Sequence, residues 1–190
     1  MTNRVVGFAR RTFLRAIAGS AGVSALAAQT PKPLTDQDRI DIGGRGKEIL
    51  NKAYQLGRDY YEKYGNCAQS SLAAIQDSVP FVPKDEVVFL ASTALSGGAT
   101  RTRNASCGAF TGCGLAIGSV CGRSRANFGG KAPLSGQLLL QVHDNFVTAY
   151  GDVICNDIRT KVEAKCGDVV GKAAVWGAEA LLKQFTNYKS

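Results

Sequence analysis

Residues 106–122 read SCGAFTGCGLAIGSVCG, an apolar stretch rich in glycine and alanine that contains three cysteines. Ser106 is a suitable N-cap, so the stretch predicts a helix that starts at Cys107, although four internal glycines weaken it. At 1.5 Å per residue, Cys107 and Cys121 would lie about 21 Å apart, with Cys113 about 9 Å along from Cys107. One small site therefore cannot hold all three sulfurs, and Cys107 cannot form a disulfide with Cys121.

Helical patterns continue on both sides of this stretch. Apolar residues recur every three or four positions, which is the spacing of one helical face, and glycine or proline ends each segment. The predicted helices span residues 36–64, 67–78, 85–95, 107–122, 133–151 and 166–185, with a short segment near 155–161. Because no alternating strand pattern is present, the sequence predicts an all-α fold: a single compact domain of about five to seven helices.

Composition limits the class of protein. The chain has 190 residues, of which 45% are hydrophobic and 20% are charged, enough for one domain with a core. Its formal charge is +8, but four arginines lie in the first 28 residues, which contain no acidic residue. Removal of that stretch lowers the charge by four, to +4. We therefore expect no nucleic-acid partner.

The N-terminal stretch carries a targeting pattern. Residues 9–15 read ARRTFLR, and a weakly apolar, alanine-rich stretch follows, with the small residues Ala25-Leu26-Ala27 near its end. This resembles a twin-arginine (Tat) export signal. The resemblance implies a signal at 1–27 that is cleaved after Ala27, a linker at 28–35 and a domain at 36–190. The apolar run is well short of the roughly 20 residues that cross a bilayer, so we expect no stable membrane insertion after cleavage.

The Tat resemblance also implies a location and a partner. The protein would be periplasmic or otherwise exported, and it would contact the Tat translocase during export. Tat passes folded proteins, often with a cofactor inserted in the cytoplasm. Since disulfides do not normally form there, the cysteines would be free, buried or bound to metal while the domain folds.

Cysteines are the main chemical feature of the chain. They are Cys67, Cys107, Cys113, Cys121, Cys155 and Cys166. No two are spaced as C-x-x-C, which excludes a c-type haem, a thioredoxin-like couple, a zinc ribbon and a bacterial ferredoxin run. Cys67, Cys107 and Cys166 fall at predicted helix starts, where backbone N–H groups and the helix dipole lower the pKa of a thiol. Three helix starts can thus offer thiolates to one centre, which Cys155 would reach from a short loop.

The central motif resembles that of a known family. Residues 107–112, CGAFTG, match the C-G-A-x-x-G motif of the redox-active proteins named after the pattern C_GCAxxG_C_C. Residues 65–70 resemble the first cysteine segment of that family, and Gly97-Gly98 resemble the glycines before its central motif. Cys155 and Cys166 resemble its last two cysteines. The resemblance covers about residues 49–182.

The resemblance implies a cofactor. A related domain occurs in split-Soret cytochromes, which hold haems together with an iron–sulfur cluster. Because this chain lacks C-x-x-C-H, we expect no haem. By position, the implied cluster ligands are Cys67, Cys107, Cys155 and Cys166. Four thiolates complete a 2Fe-2S centre, so this cluster type is expected. The protein would be an electron carrier or an electron-transfer subunit with a protein partner, rather than an enzyme with its own substrate.

Three alternatives stay open. The cysteines could exchange thiol and disulfide states with Cys107 as a low-pKa nucleophile, form structural disulfides after export, or bind copper or zinc. Under the cluster hypothesis, Arg101, Arg103 and Arg123 would raise the potential of a negatively charged centre and help a partner to dock.

Other residues have simpler interpretations. Gly108 and Gly112 would allow either close approach of backbone N–H groups to the sulfurs or close helix packing. His143 is predicted to be a partly exposed helix residue. Four tyrosines share helical spacing and are predicted to pack in the core: Tyr54, Tyr60, Tyr61 and Tyr64.

Overall fold

The computed structural model describes residues 32–99, 101–131, 133–161 and 163–189. Within these ranges the chain forms seven α-helices and no strand, which confirms the predicted all-α fold. The helices are α1 (Gly46–Tyr64), α2 (Cys67–Ser78), α3 (Glu86–Ser92), α4 (Gly108–Cys121), α5 (Pro133–Tyr150), α6 (Cys155–Thr160) and α7 (Cys166–Phe185). Short 3-10 helices lie at Thr93–Leu95 and Arg125–Asn127. The predicted signal at 1–27 lies outside the described residues.

The first helix begins at Gly46, not at residue 36 as predicted. The side chain of Asp41 accepts a hydrogen bond from the N–H of Gly43 at 2.8 Å, and Gly43 adopts a φ of 59°. This local bond stabilises a turn in place of a helical turn. Ile42 within the turn is only 2% exposed, so the segment packs on the core as a turn.

The last helix, α7, is central to the domain. It packs against α1, α2, α4 and α5. Glycines allow the helices to approach closely: a Cβ on Gly57 of α1 would lie 3.0 Å from the Cα of Gly171 in α7. On α4, a Cβ on Gly112 would overlap the carbonyl oxygen of Ala68 in α2. No helix of the described ranges has the length and apolar character needed to cross a membrane.

The start of α4 differs by one residue from the prediction. Cys107, not Ser106, occupies the N-cap position, and Ser106 instead forms an isolated antiparallel bridge with Ile154. This bridge joins the segment before α4 to the segment before α6. The sequence shows no sign of it, because a single bridge has no periodic pattern.

Two predictions about other side chains can also be judged. His143 lies half-buried on α5, with its Nδ1 atom 3.2 Å from the carboxylate of Asp144, as expected for a helix-surface residue. Tyr64 is 65% exposed, so its predicted core position is wrong. The other three tyrosines of α1 are half-buried.

Candidate functional site

Four helices begin at one cavity. Its volume is about 250 Å³, and it is also lined by the last turn of α1. The helices α2, α6 and α7 each begin with a cysteine, and a fourth cysteine is the N-cap of α4. All four of these cysteines line the cavity: Cys67, Cys107, Cys155 and Cys166. They are the four that family resemblance selects. The prediction that Cys155 lies in a loop is wrong, since this residue begins α6.

Backbone hydrogen bonds place Cys107 beside Cys155. The N–H of Cys107 donates to the carbonyl of Val153 at 2.8 Å, and the N–H of Cys155 donates to the carbonyl of Ala105 at 3.0 Å. These two bonds flank the bridge between Ser106 and Ile154. The starts of α4 and α6 are therefore fixed to each other by their backbones.

Two glycines make room for the cysteine side chains. A Cβ on Gly108 would overlap the sulfur of Cys67, which shows how closely the first turn of α4 approaches this sulfur. A Cβ on Gly98 would lie 2.9 Å from the Cβ of Cys155, and Gly98 has a φ of 70°. A side chain at either position would occupy space that the cysteines now use. The predicted close approach of Gly108 to a sulfur is thus observed, whereas Gly112 serves helix packing.

Burial dominates the acid–base behaviour of two of the cavity thiols, those of Cys107 and Cys155. Cys67, Cys107 and Cys155 are buried, and Cys166 is partly exposed. Burial raises the pKa of Cys107 to about 12, and the nearby Cys67 adds to this increase. Hydrogen bonds from the first turn of α4 act in the opposite direction but are weaker. Burial likewise raises the pKa of Cys155. The predicted lowering of the Cys107 pKa is therefore wrong, because loss of hydration outweighs the helix terminus.

Three arginines line the cavity and are exposed to solvent: Arg101, Arg103 and Arg159. The Nη1 atom of Arg159 donates a hydrogen bond to the sulfur of Cys166 at 3.6 Å. Among the described residues that line the cavity there is no carboxylate. The cavity is therefore a positively charged environment. Arg123 was predicted to belong to this group but lies elsewhere, where its Nη1 atom donates to the carbonyl of Gly130 at 3.1 Å.

Sequence reasoning missed three polar residues of the cavity. Tyr61 lies at the cavity beside Cys166, and burial, followed by the interaction of its hydroxyl with Cys166, raises the pKa of Tyr61. The hydroxyl of Ser96 lies 3.4 Å from the sulfur of Cys67. Arg159 follows Cys155 by four positions on α6, a spacing that places both residues on one face of the helix. This spacing could have identified Arg159 as a residue of the cavity. The other two come from distant segments and have no such signal.

The other two cysteines lie away from the cavity. The sulfur of Cys113 donates to the carbonyl of Ala173 at 3.1 Å inside the core. The sulfur of Cys121 donates to the carbonyl of Ile117 at 3.4 Å within its own helix. All six cysteines are in the described part of the chain, and none forms a disulfide. The helix geometry predicted from sequence, which separates these two from Cys107, is observed.

The cavity has the dimensions of a group larger than one ion. Thiolates on one tetrahedral metal lie about 3.8 Å apart if the metal–sulfur bonds are about 2.3 Å. Within the described residues, no three His, Cys, Asp or Glu side chains are arranged to hold a single metal ion. The volume of the cavity, about 250 Å³, is several times the roughly 30 Å³ that one water molecule occupies. In this arrangement the four cysteines line a cavity larger than one ion and do not form a ready-made site for a single ion.

Fold and site together define a class: a helical domain in which four separated cysteines share one enclosed cavity. The sequence profile of the family described as "Putative redox-active protein (C_GCAxxG_C_C)" matches residues 65–180. The chain belongs to this family, and a redox role follows from the membership. No curated protein and no solved structure matches the chain.

Proposed function

We propose that the protein binds an iron–sulfur cluster through Cys67, Cys107, Cys155 and Cys166 and serves as an exported electron-transfer protein. One observation carries the proposal. These four cysteines come from four helices and line one cavity, whereas Cys113 and Cys121 donate to carbonyls elsewhere. When bound, the cluster supplies reversible acceptance and release of an electron.

The charge of the cavity supports this occupant. Four thiolates with a cluster carry net negative charge, and three arginines with no carboxylate surround them. The positive ends of the α2, α4 and α7 dipoles also face the cavity. A site of this polarity stabilises an anionic centre and disfavours a free cation. Four thiolates suffice for a 2Fe-2S centre, the type we propose.

The alternatives fit the cavity less well. Thiol–disulfide exchange requires an accessible thiolate, but Cys107 is only 7% exposed and its pKa is raised. Structural disulfides would leave the arginines of the cavity without a counter-charge. A zinc or copper ion would require the sulfurs to meet at one point, which they do not.

Export is part of the same proposal. The N-terminal resemblance to a Tat signal supports a working location in the periplasm or otherwise outside the cytoplasm. Tat export accepts folded proteins, so the centre would be filled before the chain crosses the membrane.

The decisive experiment measures the cofactor directly. The full chain is purified without oxygen from cells able to build clusters, and its iron, acid-labile sulfide and visible spectrum are determined. We expect equal amounts of iron and sulfide and absorption bands that bleach on reduction. Two irons per chain would establish the 2Fe-2S type. A colourless chain that stays free of iron after reconstitution would refute the proposal.

Matched cysteine variants then test the ligand set. Serine replaces each of the four cavity cysteines in turn, and each variant is expected to lose most of its iron or to change its spectrum. Cys113→Ser and Cys121→Ser are the controls, since they make the same chemical change away from the cavity. Equal iron retention in all six variants would show that the assignment is wrong.

A further inference from the structure

The loop between α3 and α4 presents two arginines that no structural interaction explains. Arg101 and Arg103 are exposed, and within the described residues neither forms an ion pair. Arg159 differs, because it donates to the sulfur of Cys166. Arg159 thus has a sulfur partner in the cavity, whereas Arg101 and Arg103 line the same cavity without an ion-pair partner within the described residues.

The backbone holds these two arginines in place at a cost. Arg101 and Arg103 have φ values of 63° and 65°, a left-handed conformation that is unfavourable for a residue with a side chain. The loop is nonetheless anchored. The N–H of Arg103 donates to the carbonyl of Gly97 at 3.1 Å, and its carbonyl accepts from the N–H of Asn156 at 2.8 Å. Strained residues that are firmly anchored cluster at functional sites, where the strain fixes a side chain for a ligand.

We infer that Arg101 and Arg103 form a docking surface for an acidic redox protein. The inference rests on the proposed function, and it assigns the chemistry of the partner, which that function leaves open. Arg101 and Arg103 line the same cavity as the four cysteines, so a partner seated on them lies at that cavity. Complementary charge at such a surface speeds encounter and orients the partner more than it adds affinity. A small, salt-sensitive interface is typical of electron-transfer complexes.

A pair of probes that differ only in charge tests the inference. Native cytochrome c is basic, and succinylated cytochrome c is acidic with the same fold and haem. Binding of each to the full chain is measured by calorimetry at 10 mM ionic strength, with the metal-free and the cluster-loaded protein. We expect the succinylated form to bind and the native form to bind at least tenfold more weakly. Binding of the succinylated form should disappear at 1 M salt, where the Debye length is about 3 Å.

Charge-reversal variants locate the surface. Each arginine-to-glutamate change alters the charge by two units, which for one partner carboxylate about 10 Å away amounts to roughly a threefold loss of affinity at low salt. Arg101→Glu with Arg103→Glu should therefore weaken binding about tenfold. Arg125→Glu is the matched control for Arg101→Glu and Arg103→Glu taken singly, because Arg125 follows the opposite end of α4 from Cys107 and carries the same charge change. The double variant must keep the circular dichroism spectrum and melting temperature of the parent chain.

The outcomes separate the two proposals. Equal loss of binding in Arg101→Glu, Arg103→Glu and Arg125→Glu would refute the docking surface and indicate a general charge effect. Displacement of the succinylated protein by inorganic phosphate at constant ionic strength would also refute it, since the arginines would then hold a small anion. A chain that binds the acidic probe but never binds iron would refute the proposed function alone.

Discussion

Two glycines of α4 allow a packed position and an exposed position of the same helix to be compared. Gly112 faces α2, where a Cβ would overlap the hydroxyl of Ser71 and the carbonyl oxygen of Ala68. Gly118 lies on the same helix six residues later, is exposed, and would place a Cβ with no atom within 4 Å. Replacement of either glycine by alanine makes the same chemical change in the same helix. Any difference between the two variants reports the contact between α2 and α4.

The expected magnitudes follow from two opposing effects. A glycine-to-alanine change in a helix interior stabilises by about 1 kcal/mol. Gly118→Ala should gain that amount, which for a chain of this size raises the melting temperature by about 2–4 °C. In Gly112→Ala the same gain is offset by overpacking against a backbone carbonyl, which costs about 1–3 kcal/mol. The two variants should therefore differ by about 1–3 kcal/mol in the free energy of unfolding, with Gly118→Ala the more stable.

Urea unfolding of the metal-free protein, followed by circular dichroism, measures this difference. Both variants are compared with the parent chain at one pH and one protein concentration, and equal m-values confirm that the same surface unfolds. If Gly112→Ala were as stable as Gly118→Ala, α2 and α4 would not be in the close contact described. The packing that aligns Cys67 with Cys107 would then be wrong as well.

Three further outcomes are expected. Gly108→Ala should lower the iron content of the purified protein, because a Cβ on Gly108 would overlap the sulfur of Cys67. Gly118→Ala should leave the iron content unchanged, and metal analysis of both variants measures the difference. At Arg101, with its φ of 63°, glycine should be about 1 kcal/mol more stable than alanine in urea unfolding, the reverse of the usual order; equal stability would contradict the strained conformation. Burial raises the pKa of Cys121 to about 11 from 9.0. This thiol therefore contributes stability that is present below pH 9 and is lost as the pH rises towards 11. Between roughly pH 8 and 10.5 the Cys121→Ser variant should lose less free energy of unfolding than the parent chain. An unchanged dependence of the free energy of unfolding on pH would contradict the assignment.

The helices with strong local signals could be predicted closely from the sequence. The bounds of α2 agree to the residue, because Asn66 caps its start, where its side chain accepts from Gln69, and prolines follow its end. The prediction failed before α1, since a buried Ile42 and a turn stabilised by Asp41 compete with the helical pattern there. Helix α6 was missed because six residues are less than two turns and show no periodicity.

The candidate site was predictable in its cysteines but not in its electrostatics. Family resemblance selected the four that the structure brings together, and helix length showed only that Cys107, Cys113 and Cys121 could not all share one small site. The pKa of Cys107 was predicted with the wrong sign, because a helix start is visible in sequence whereas burial is a property of the whole fold. Tyr61 and Ser96 join the cavity from separate segments, so only the tertiary structure identifies them.

The spacing of the four cysteines constrains the order of assembly. Neighbouring members are 40, 48 and 11 positions apart, and each lies on a different helix or at its cap. They come together only after α2 packs on α4 through Gly112 and after the bridge of Ser106 with Ile154 fixes α6. An unfolded chain therefore offers separate thiols and no four-thiol site. A centre bound by all four would tie together segments 99 positions apart and stabilise the folded state. We expect such a centre to form on the folded domain, and this order, folding then loading, agrees with the predicted Tat route, which passes folded proteins.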